Sequence, residues 1–210
     1  MDRPAHREGV ALTPSWCSGK LVVERLRGEH DFNLVFGPDE PRIGSFSTLV
    51  HGQFVYLWSN YKSNIILART HRSVTVLPGA YMYWSGNDWV PDYNEALHIQ
   101  EIHNAGIVQG GIVRSSLFGE KKPFVFIGVN KFADSKIQLG VAERIEGPWE
   151  VQTIGVATGI NEKDGFRYCI YPHLWASDTK KGELMVTWSE QCPGGVIAAK
   201  ITFEMDKDEL

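Results

Sequence analysis

One pattern recurs three times along the chain without gaps, and it constrains the fold more than any other sequence feature. Three runs of eight residues can be laid over one another, at residues 53–60, 123–130 and 183–190. Each run is apolar, rich in β-branched and aromatic residues, and preceded by a turn-forming segment, which is typical of a buried strand. The chain is therefore predicted to repeat one supersecondary unit every 60 to 70 residues or so.

The sequence around each run repeats as well. A strand-like segment precedes each copy, at residues 43–50, 106–113 and 168–175. Another follows each copy, at residues 64–69, 136–142 and 194–203. The first two units add a fourth segment after Pro-Gly or Gly-Pro turns, at residues 81–90 and 149–157. The predicted unit is a four-stranded antiparallel meander, over residues 43–92, 106–160 and 166–205, with residues 1–42 as a partial unit or N-terminal extension.

Helical periodicity is confined to residues 94–103, so the chain is predicted to be all-β. One small twisted sheet cannot cover both of its faces, and stacking successive copies solves that problem. We therefore predict a single β-propeller domain over residues 1–210, with three recognisable blades, and keep a β-sandwich as the alternative. Because propellers close with about four or more blades, this chain is expected to belong to a longer propeller or to form a homodimer.

Composition excludes several classes of partner. The chain has 210 residues and a formal net charge of −4, which offers no basic surface for nucleic acid or for an anionic membrane. No stretch approaches the ~20 apolar residues of a membrane span, and residues 1–20 contain no run like a signal peptide. A cytoplasmic location is predicted. The final residues, Lys207-Asp208-Glu209-Leu210, match the endoplasmic reticulum retention signal, so that lumen is the alternative if a leader is missing.

The thiols and imidazoles of the chain do not form a metal-binding pattern. Cys17, Cys169 and Cys192 make neither a CxxC pair nor an even disulfide framework, so we expect reduced thiols packed as small apolar side chains. His98 and His103 flank Glu101 but do not lie at i, i+4 on a convincing helix. No metal and no cofactor are predicted.

Three segments carry a resemblance to a known group of enzymes. Residues 146–149 (Glu-Gly-Pro-Trp), 168–175 and 183–200 resemble the later blades of furanosidase-type five-bladed β-propellers. That group includes glycoside hydrolase family 43 and an uncharacterised-domain family that is thought to contain arabinan-cleaving enzymes. The likeness extends over roughly residues 43–203. It implies binding or cleavage of a furanose-containing glycan in a central cavity, with carboxylates supplied by the innermost strands.

The carboxylates depart from that pattern. Glycoside hydrolysis uses one carboxylic acid to protonate the leaving oxygen and one carboxylate as base or nucleophile. The predicted innermost strands contain neither Asp nor Glu, and the acidic candidates lie before them: Asp39 before the first and Glu101 before the second. We predict both as catalytic candidates, although carboxylates at such positions also cap turns. The departure predicts weak or absent hydrolysis.

Other side chains on or near the predicted innermost strands suit ligand binding. His173 is predicted to act as a general base or hydrogen-bonding group, with a buried core histidine as the alternative. The predicted substrate-binding residues are polar or aromatic: Thr48, Trp84, Gln109, Tyr171 and Trp175. Trp58 and Trp188 occupy equivalent repeat positions, which predicts packing between blades.

Two other functions remain open at the level of sequence. The first is a non-hydrolytic cyclase or isomerase that uses Gln109, Tyr171 and His173 as hydrogen-bonding groups. The second is a non-enzymatic interaction scaffold. Fold alone does not choose among these functions. The expected partner is a carbohydrate or another small molecule.

Overall fold

The computed structural model describes residues 40–62, 64–74, 79–102, 109–129, 134–159, 166–191 and 194–204. It also gives the backbone of four N-terminal strands, β1 (Glu8–Val10), β2 (Leu12–Cys17), β3 (Lys20–Arg25) and β4 (Leu34–Phe36). These strands form two antiparallel pairs, β1 with β4 and β2 with β3. Asp39, His103 and the C-terminal tetrapeptide lie outside the described residues.

Three larger antiparallel sheets follow, each with its strands in sequence order. The first contains β5 (Ser47–His51), β6 (Phe54–Tyr61), β7 (Asn64–His71), β8 (Met82–Trp84) and β9 (Trp89–Val90). The second contains β10 (Gly110–Arg114), β11 (Phe124–Val129), β12 (Lys136–Ala142) and β13 (Glu150–Val156). The third contains β14 (Arg167–Pro172), β15 (Glu183–Glu190) and β16 (Gly195–Thr202).

The prediction of an all-β fold built from antiparallel meanders is confirmed. Helical structure within the described residues is limited to three short 3₁₀ turns: Tyr93–Glu95, Leu174–Ala176 and Thr179–Lys181. The helical pattern of residues 94–103 was misleading, because beyond the first of these turns the chain runs along the first sheet and Ile99 bridges Ile65. No helix in the described part of the chain is long and apolar enough to cross a membrane.

The number of strands differs between the sheets. Only the second sheet has the predicted four strands. The first has five, because the predicted strand over residues 81–90 turns at Gly86, whose φ of 103° favours glycine, and becomes the hairpin β8–β9. The third has the three strands that its own segments predicted, but its first strand ends at Pro172 rather than at Trp175. The His173 N–H still donates to the Met185 carbonyl of β15, and the chain then leaves the sheet in the 3₁₀ turn Leu174–Ala176.

The second sheet is buried on both faces. All six residues of β11 are buried, and alternate side chains enter different clusters. Phe124 and Phe126 pack with residues of the first sheet, such as Trp58. Val125 and Ile127 pack with the third sheet, where Trp188 lies. A two-layer sandwich has no sheet buried on both faces, so the described sheets are stacked one upon the next, as the blades of a propeller are.

The first strands of neighbouring sheets meet along a common line. Ser47 on β5 accepts a hydrogen bond from the Ile112 N–H on β10, with its Oγ 2.8 Å from that nitrogen. The Ser135 hydroxyl, before β12, accepts from the Arg167 N–H at the start of β14 over 3.0 Å. β10 and β14 are the terminal strands of their sheets, and these bonds satisfy backbone N–H groups that no strand pairs. Side chains thus tie each sheet to the next.

Ser47 offers a direct test of this inter-sheet tie. Replacing Ser47 by Ala leaves the Ile112 N–H buried without its acceptor, so the free energy of unfolding is expected to fall by about 1–3 kcal/mol. Thr48→Ala is the control on the same strand, since Thr48 is exposed, and should cost less than about 1 kcal/mol. Chemical denaturation followed by tryptophan fluorescence measures both values. Equal effects of the two substitutions would contradict the structural role of Ser47.

Candidate functional site

Three aromatic side chains form a row where β14 ends. The ring centroids of Tyr171 and His173 are 5.6 Å apart, and those of His173 and Trp175 are 6.0 Å apart. Trp175 is 87% exposed and Tyr171 is 44% exposed, although large aromatic side chains are normally covered. We refer to Tyr171, His173 and Trp175 as the aromatic ledge.

His173 holds the middle of the aromatic ledge in place. It lies just after β14, at the N-cap of the Leu174–Ala176 turn, rather than within a strand as the sequence predicted. Its Nε2 lies 2.8 Å from the Thr187 hydroxyl, and its backbone N–H donates to the Met185 carbonyl over 2.8 Å. Its carbonyl accepts from the Ser177 hydroxyl over 2.7 Å. The imidazole is therefore oriented by β15 and is partly buried. It is neither fully exposed to a ligand nor fully enclosed in the core, the two alternatives that the sequence left open.

Gly111 on β10 makes room for Tyr171. A Cβ at residue 111 would lie 2.8 Å from Cε2 of the Tyr171 ring and 2.9 Å from Cδ of Pro172. Real Cβ atoms do not approach other atoms so closely, so any larger residue at 111 would push the ring away. The glycine in this strand thus reflects close approach by the neighbouring sheet, and it positions the inner end of the aromatic ledge.

Gln109 connects β10 to β14. Its Oε1 accepts a hydrogen bond from the Cys169 N–H over 2.8 Å. That amide belongs to an irregular stretch of β14, where the pairing with β15 shifts between Tyr168 and Tyr171 and Cys169 has a φ of 53°. The Gln109 carbonyl therefore supplies the acceptor that the irregular backbone lacks. Of the predicted binding residues, Gln109 lies beside the aromatic ledge but has one of its polar atoms committed to structure.

Cys169 itself does not suit nucleophilic chemistry. Its side chain is exposed and makes no disulfide. Partial desolvation of the thiol by its neighbours nevertheless raises the pKa of Cys169 above its ordinary value. A raised pKa lowers the thiolate fraction at neutral pH, whereas reactive cysteines have lowered values.

The remaining predicted residues are dispersed. Thr48 lies exposed on β5, the strand that Ser47 ties to β10. Trp84 lies on the outer hairpin of the first sheet, half-buried and paired with Trp89 at a ring separation of 5.4 Å. Glu101 is exposed, and its carboxylate accepts a hydrogen bond from the adjacent Gln100 N–H over 3.1 Å. This is the turn-capping arrangement that the sequence left as the alternative for Glu101.

One buried carboxylate is not among the residues that the sequence predicted. Glu190, at the end of β15, is 2% exposed and forms an ion pair with Arg167, with Oε1 and Nη2 3.1 Å apart. A signal for it exists, because the equivalent positions of the other two repeats are Asn60 and Asn130. A carboxylate that replaces a repeated amide indicates a local need for negative charge, and here Arg167 supplies the reason.

The chain packs tightly over this ion pair. A Cβ at Gly159 would overlap Oε1 of Glu190 and Nη2 of Arg167. The other carboxylate oxygen of Glu190, Oε2, is buried without a hydrogen-bond partner among the residues that the structure describes. Only glycine allows the backbone after β13 to lie against the two charged groups. The ion pair thus joins β14, β15 and the segment that leads from the second sheet to the third.

No group of three or more side chains in the described ranges could hold a metal ion. The His98 ring, which was not predicted to be a metal ligand, packs edge to face with Tyr61, with ring centroids 6.4 Å apart. The described part of the site is therefore a surface of aromatic rings and hydrogen-bonding groups.

Comparison with known proteins is informative about the fold only. No protein-family model matches the sequence, and no curated protein matches it. A solved structure described as "a putative hydrolase from Bacteroides ovatus ATCC 8483" superimposes with a TM-score of 0.55 at 17% identity, over 82% of this chain and 42% of that one. An engineered GH43 glycoside hydrolase with endo-xylanase and exo-arabinofuranosidase activity aligns with a TM-score of 0.36 at 10% identity, over 86% and 40% of the two chains.

The chain thus spans less than half the length of either matched structure. At 17% identity, the first match indicates a shared fold rather than a shared activity. The family resemblance drawn from residues 146–149, 168–175 and 183–200 therefore stays a prediction.

The buried ion pair leads to a stability prediction. Glu190→Gln removes the negative charge and leaves the Arg167 guanidinium buried, so the free energy of unfolding should fall by about 3–5 kcal/mol. The control is Glu183→Gln, which breaks the partly exposed pair with Lys200 and should cost about 0–1 kcal/mol. Urea denaturation measures both.

A double replacement separates charge from packing at this position. The pair Arg167→Met with Glu190→Leu removes both charges and should be more stable than Glu190→Gln alone. If Glu190→Gln proved no more harmful than Glu183→Gln, the ion pair would not be a determinant of stability.

Proposed function

We propose that this chain forms part of a glycosidase-type β-propeller and that it binds a glycan on the aromatic ledge. The observation that carries the proposal is the row of three rings, in which the outermost, Trp175, is 87% exposed. The exposed indole of Trp175 offers a flat apolar face, with the inclined rings of His173 and Tyr171 beside it, and binding sites combine such surfaces with a few fixed polar groups. Sugar rings match that surface because their C–H faces are apolar while their edges carry hydroxyl groups.

The fixed surroundings of the aromatic ledge support a binding role. Hydrogen bonds to Thr187 and Met185 hold His173, and the backbone at Gly111 leaves space for Tyr171. A ligand that meets groups already held in position loses less conformational entropy on binding than one that must order them. Gln109 already accepts a hydrogen bond from the Cys169 N–H through its Oε1, so its amide NH₂ is the group that it can offer to a sugar hydroxyl.

Binding without cleavage is the form of the function that we favour. The innermost strands β5, β10 and β14 contain no Asp or Glu. Glu101 accepts a bond from its own neighbour, and Glu190 is buried against Arg167. Hydrolysis needs two carboxyl groups on either side of the glycosidic bond, and these three strands supply neither of them.

The substrate class and the domain organisation follow from the family resemblance. The resemblance makes a furanose-containing glycan, such as an arabinan fragment, the first ligand to test. We also propose that the units over residues 43–92, 106–160 and 166–205 belong to one propeller domain. The stacking of the three larger sheets supports this organisation.

A small-molecule isomerase or cyclase is the second candidate. The Tyr171 and His173 pair favours it, because a phenol and an imidazole side by side can exchange protons with a ligand. It is the weaker candidate, since the Gln109 carbonyl that it would use is bonded to the Cys169 N–H. Such catalysis should survive Glu101→Gln and fail on His173→Ala, whereas sugar hydrolysis through Glu101 should fail on Glu101→Gln.

Glycan binding is tested by titrating the protein with arabino-oligosaccharides in a calorimeter. Trp175→Ala should weaken binding about tenfold or more, equivalent to ~1.4 kcal/mol, because the stacking surface is removed. Trp175→Phe keeps a smaller ring, so its affinity for the glycan should lie between that of Trp175→Ala and that of the unmodified protein. Because Trp175 is so exposed, neither change should alter the free energy of unfolding by more than about 0.5 kcal/mol.

Leu97→Ala is the matched control, because Leu97 is an exposed apolar residue beside the first sheet. This variant should bind the arabino-oligosaccharides as tightly as the unmodified protein does. Binding that is unchanged in Trp175→Ala would contradict the proposal. Release of reducing sugar that is lost in Glu101→Gln would replace the binding proposal with hydrolysis.

A further inference from the structure

The outer edge of the third sheet has no neighbouring strand among the described residues. β16 pairs with β15 along its full length, from Gly195 opposite Glu190 to Thr202 opposite Glu183. On its other side, none of the described strands pairs with it. In the first and second sheets the third strand is followed by another, β8 next to β7 and β13 next to β12. β16 is thus an eight-residue strand with one edge that no described strand pairs.

Burial along β16 reflects this missing neighbour. The side chains of Ile197, Ala199 and Ile201 point toward the apolar cluster shared by the second and third sheets, but they are only half-buried. Their counterparts on β12, Ile137 and Leu139, are buried. A strand laid beside β16 would complete the burial of these side chains.

The backbone direction along β16 follows from one hydrogen bond. The Phe203 N–H donates to the Gly182 carbonyl over 2.8 Å, so this pair is of the hydrogen-bonded type. Hydrogen-bonded and non-hydrogen-bonded pairs alternate in an antiparallel ladder. The backbone groups of Ile197, Ala199 and Ile201 therefore face β15. Those of the alternate residues face the edge that no described strand pairs: Val196, Ala198, Lys200 and Thr202.

The edge carries few of the devices that discourage pairing. Edge strands are usually protected by proline, by a bulge, by short length or by free charges. β16 contains no proline, and its register with β15 is continuous. Its single charged residue, Lys200, is paired with Glu183 at 2.8 Å. Val196 is 73% exposed.

We propose that β16 pairs antiparallel with β16 of a second copy of this chain, around a two-fold axis at Ala199. In this register Val196 lies opposite Thr202, and Ala198 lies opposite Lys200, so all four outward-facing residues of each copy are paired. Ile197 lies opposite Ile201, which extends the apolar cluster across the axis. The result is a continuous sheet of six strands, three from each copy.

Self-complementarity is the argument for a second copy as the partner. Small alanines meet at the axis, β-branched residues face one another, and each Lys200 faces an alanine instead of a like charge. Shifting the register two residues toward the C-terminus would place Lys200 opposite Lys200, which is destabilising. The inner edges of β10 and β14 give a contrast, because side chains of neighbouring sheets already bind their N–H groups.

A charge substitution at Ala198 tests both the dimer and its register. Ala198 is exposed, and its N–H does not bond to β15, so changes there leave the existing sheet intact. Ala198→Lys places a lysine opposite Lys200 of the second copy at two symmetric positions, whereas Ala198→Glu places a glutamate there. Sedimentation equilibrium should show a dimer of about twice 23.6 kDa for the unmodified chain. We expect the dissociation constant to rise at least tenfold in Ala198→Lys and not to rise in Ala198→Glu.

Ala198→Pro is the second variant, because it removes the outward N–H without touching a bond to β15. It should be monomeric with unchanged circular dichroism. A chain that is monomeric at 100 µM or so would overturn the proposal. So would a dimer that Ala198→Lys and Ala198→Pro leave intact, or one that Ala198→Lys and Ala198→Glu weaken equally.

Discussion

Burial of the second sheet on both faces is the constraint on which the rest of the structure depends. Every side chain of β11 is covered, Phe124 and Phe126 by the first sheet and Val125, Ile127 and Val129 by the third. A sheet so small exposes too much apolar surface to be stable alone, and stacking removes that surface from water. The stacking then fixes where the first strands of the sheets meet, and so where their exposed side chains point.

Stacking leaves the first strand of each sheet with backbone groups that no strand can pair. The structure meets this requirement with side chains from the adjacent sheet, as Ser47 does for Ile112 and Gln109 does for Cys169. The same contacts hold β10 next to β14 and place the Tyr171 ring against Gly111. The position of the aromatic ledge therefore depends on the contacts by which side chains of one sheet bind the edge N–H groups of the next.

The inner and outer edges of the sheets thus differ in how their hydrogen-bonding groups are paired. The inner edges are closed by side chains within the chain, while the outer edge of β16 keeps its hydrogen-bonding groups and half-buried apolar residues without a neighbouring strand among those described. The first kind of edge carries the aromatic ledge, where we propose that a glycan binds, and the second is the strand edge that we propose pairs with a second copy. The two proposed contacts therefore lie at opposite edges of the third sheet.

The pattern of residues in the sequence predicted much of the fold. The runs at 123–130 and 183–190 became β11 and β15, and the predicted β12 matches the structure at both ends, because alternation and β-branched composition report local burial directly. The strand that was expected to include His173 stopped at Pro172, and the helical pattern near residues 94–103 gave only a 3₁₀ turn. The residues at which strands begin and end depend on contacts with the neighbouring sheet, and the periodicity of the sequence carries no information about those contacts.

The candidate site was legible only in part. The sequence identified Tyr171, His173 and Trp175 as residues of interest, but Trp84 lies in an outer hairpin and Glu101 caps its own turn. The buried pair of Arg167 and Glu190 was missed, since its partners are far apart in sequence and meet only when β14 pairs with β15. By itself the sequence determined the all-β class and its repeated strands, because local pattern is enough to specify a strand. Tertiary structure decided which side chains converge, because contacts between distant residues depend on how the sheets stack.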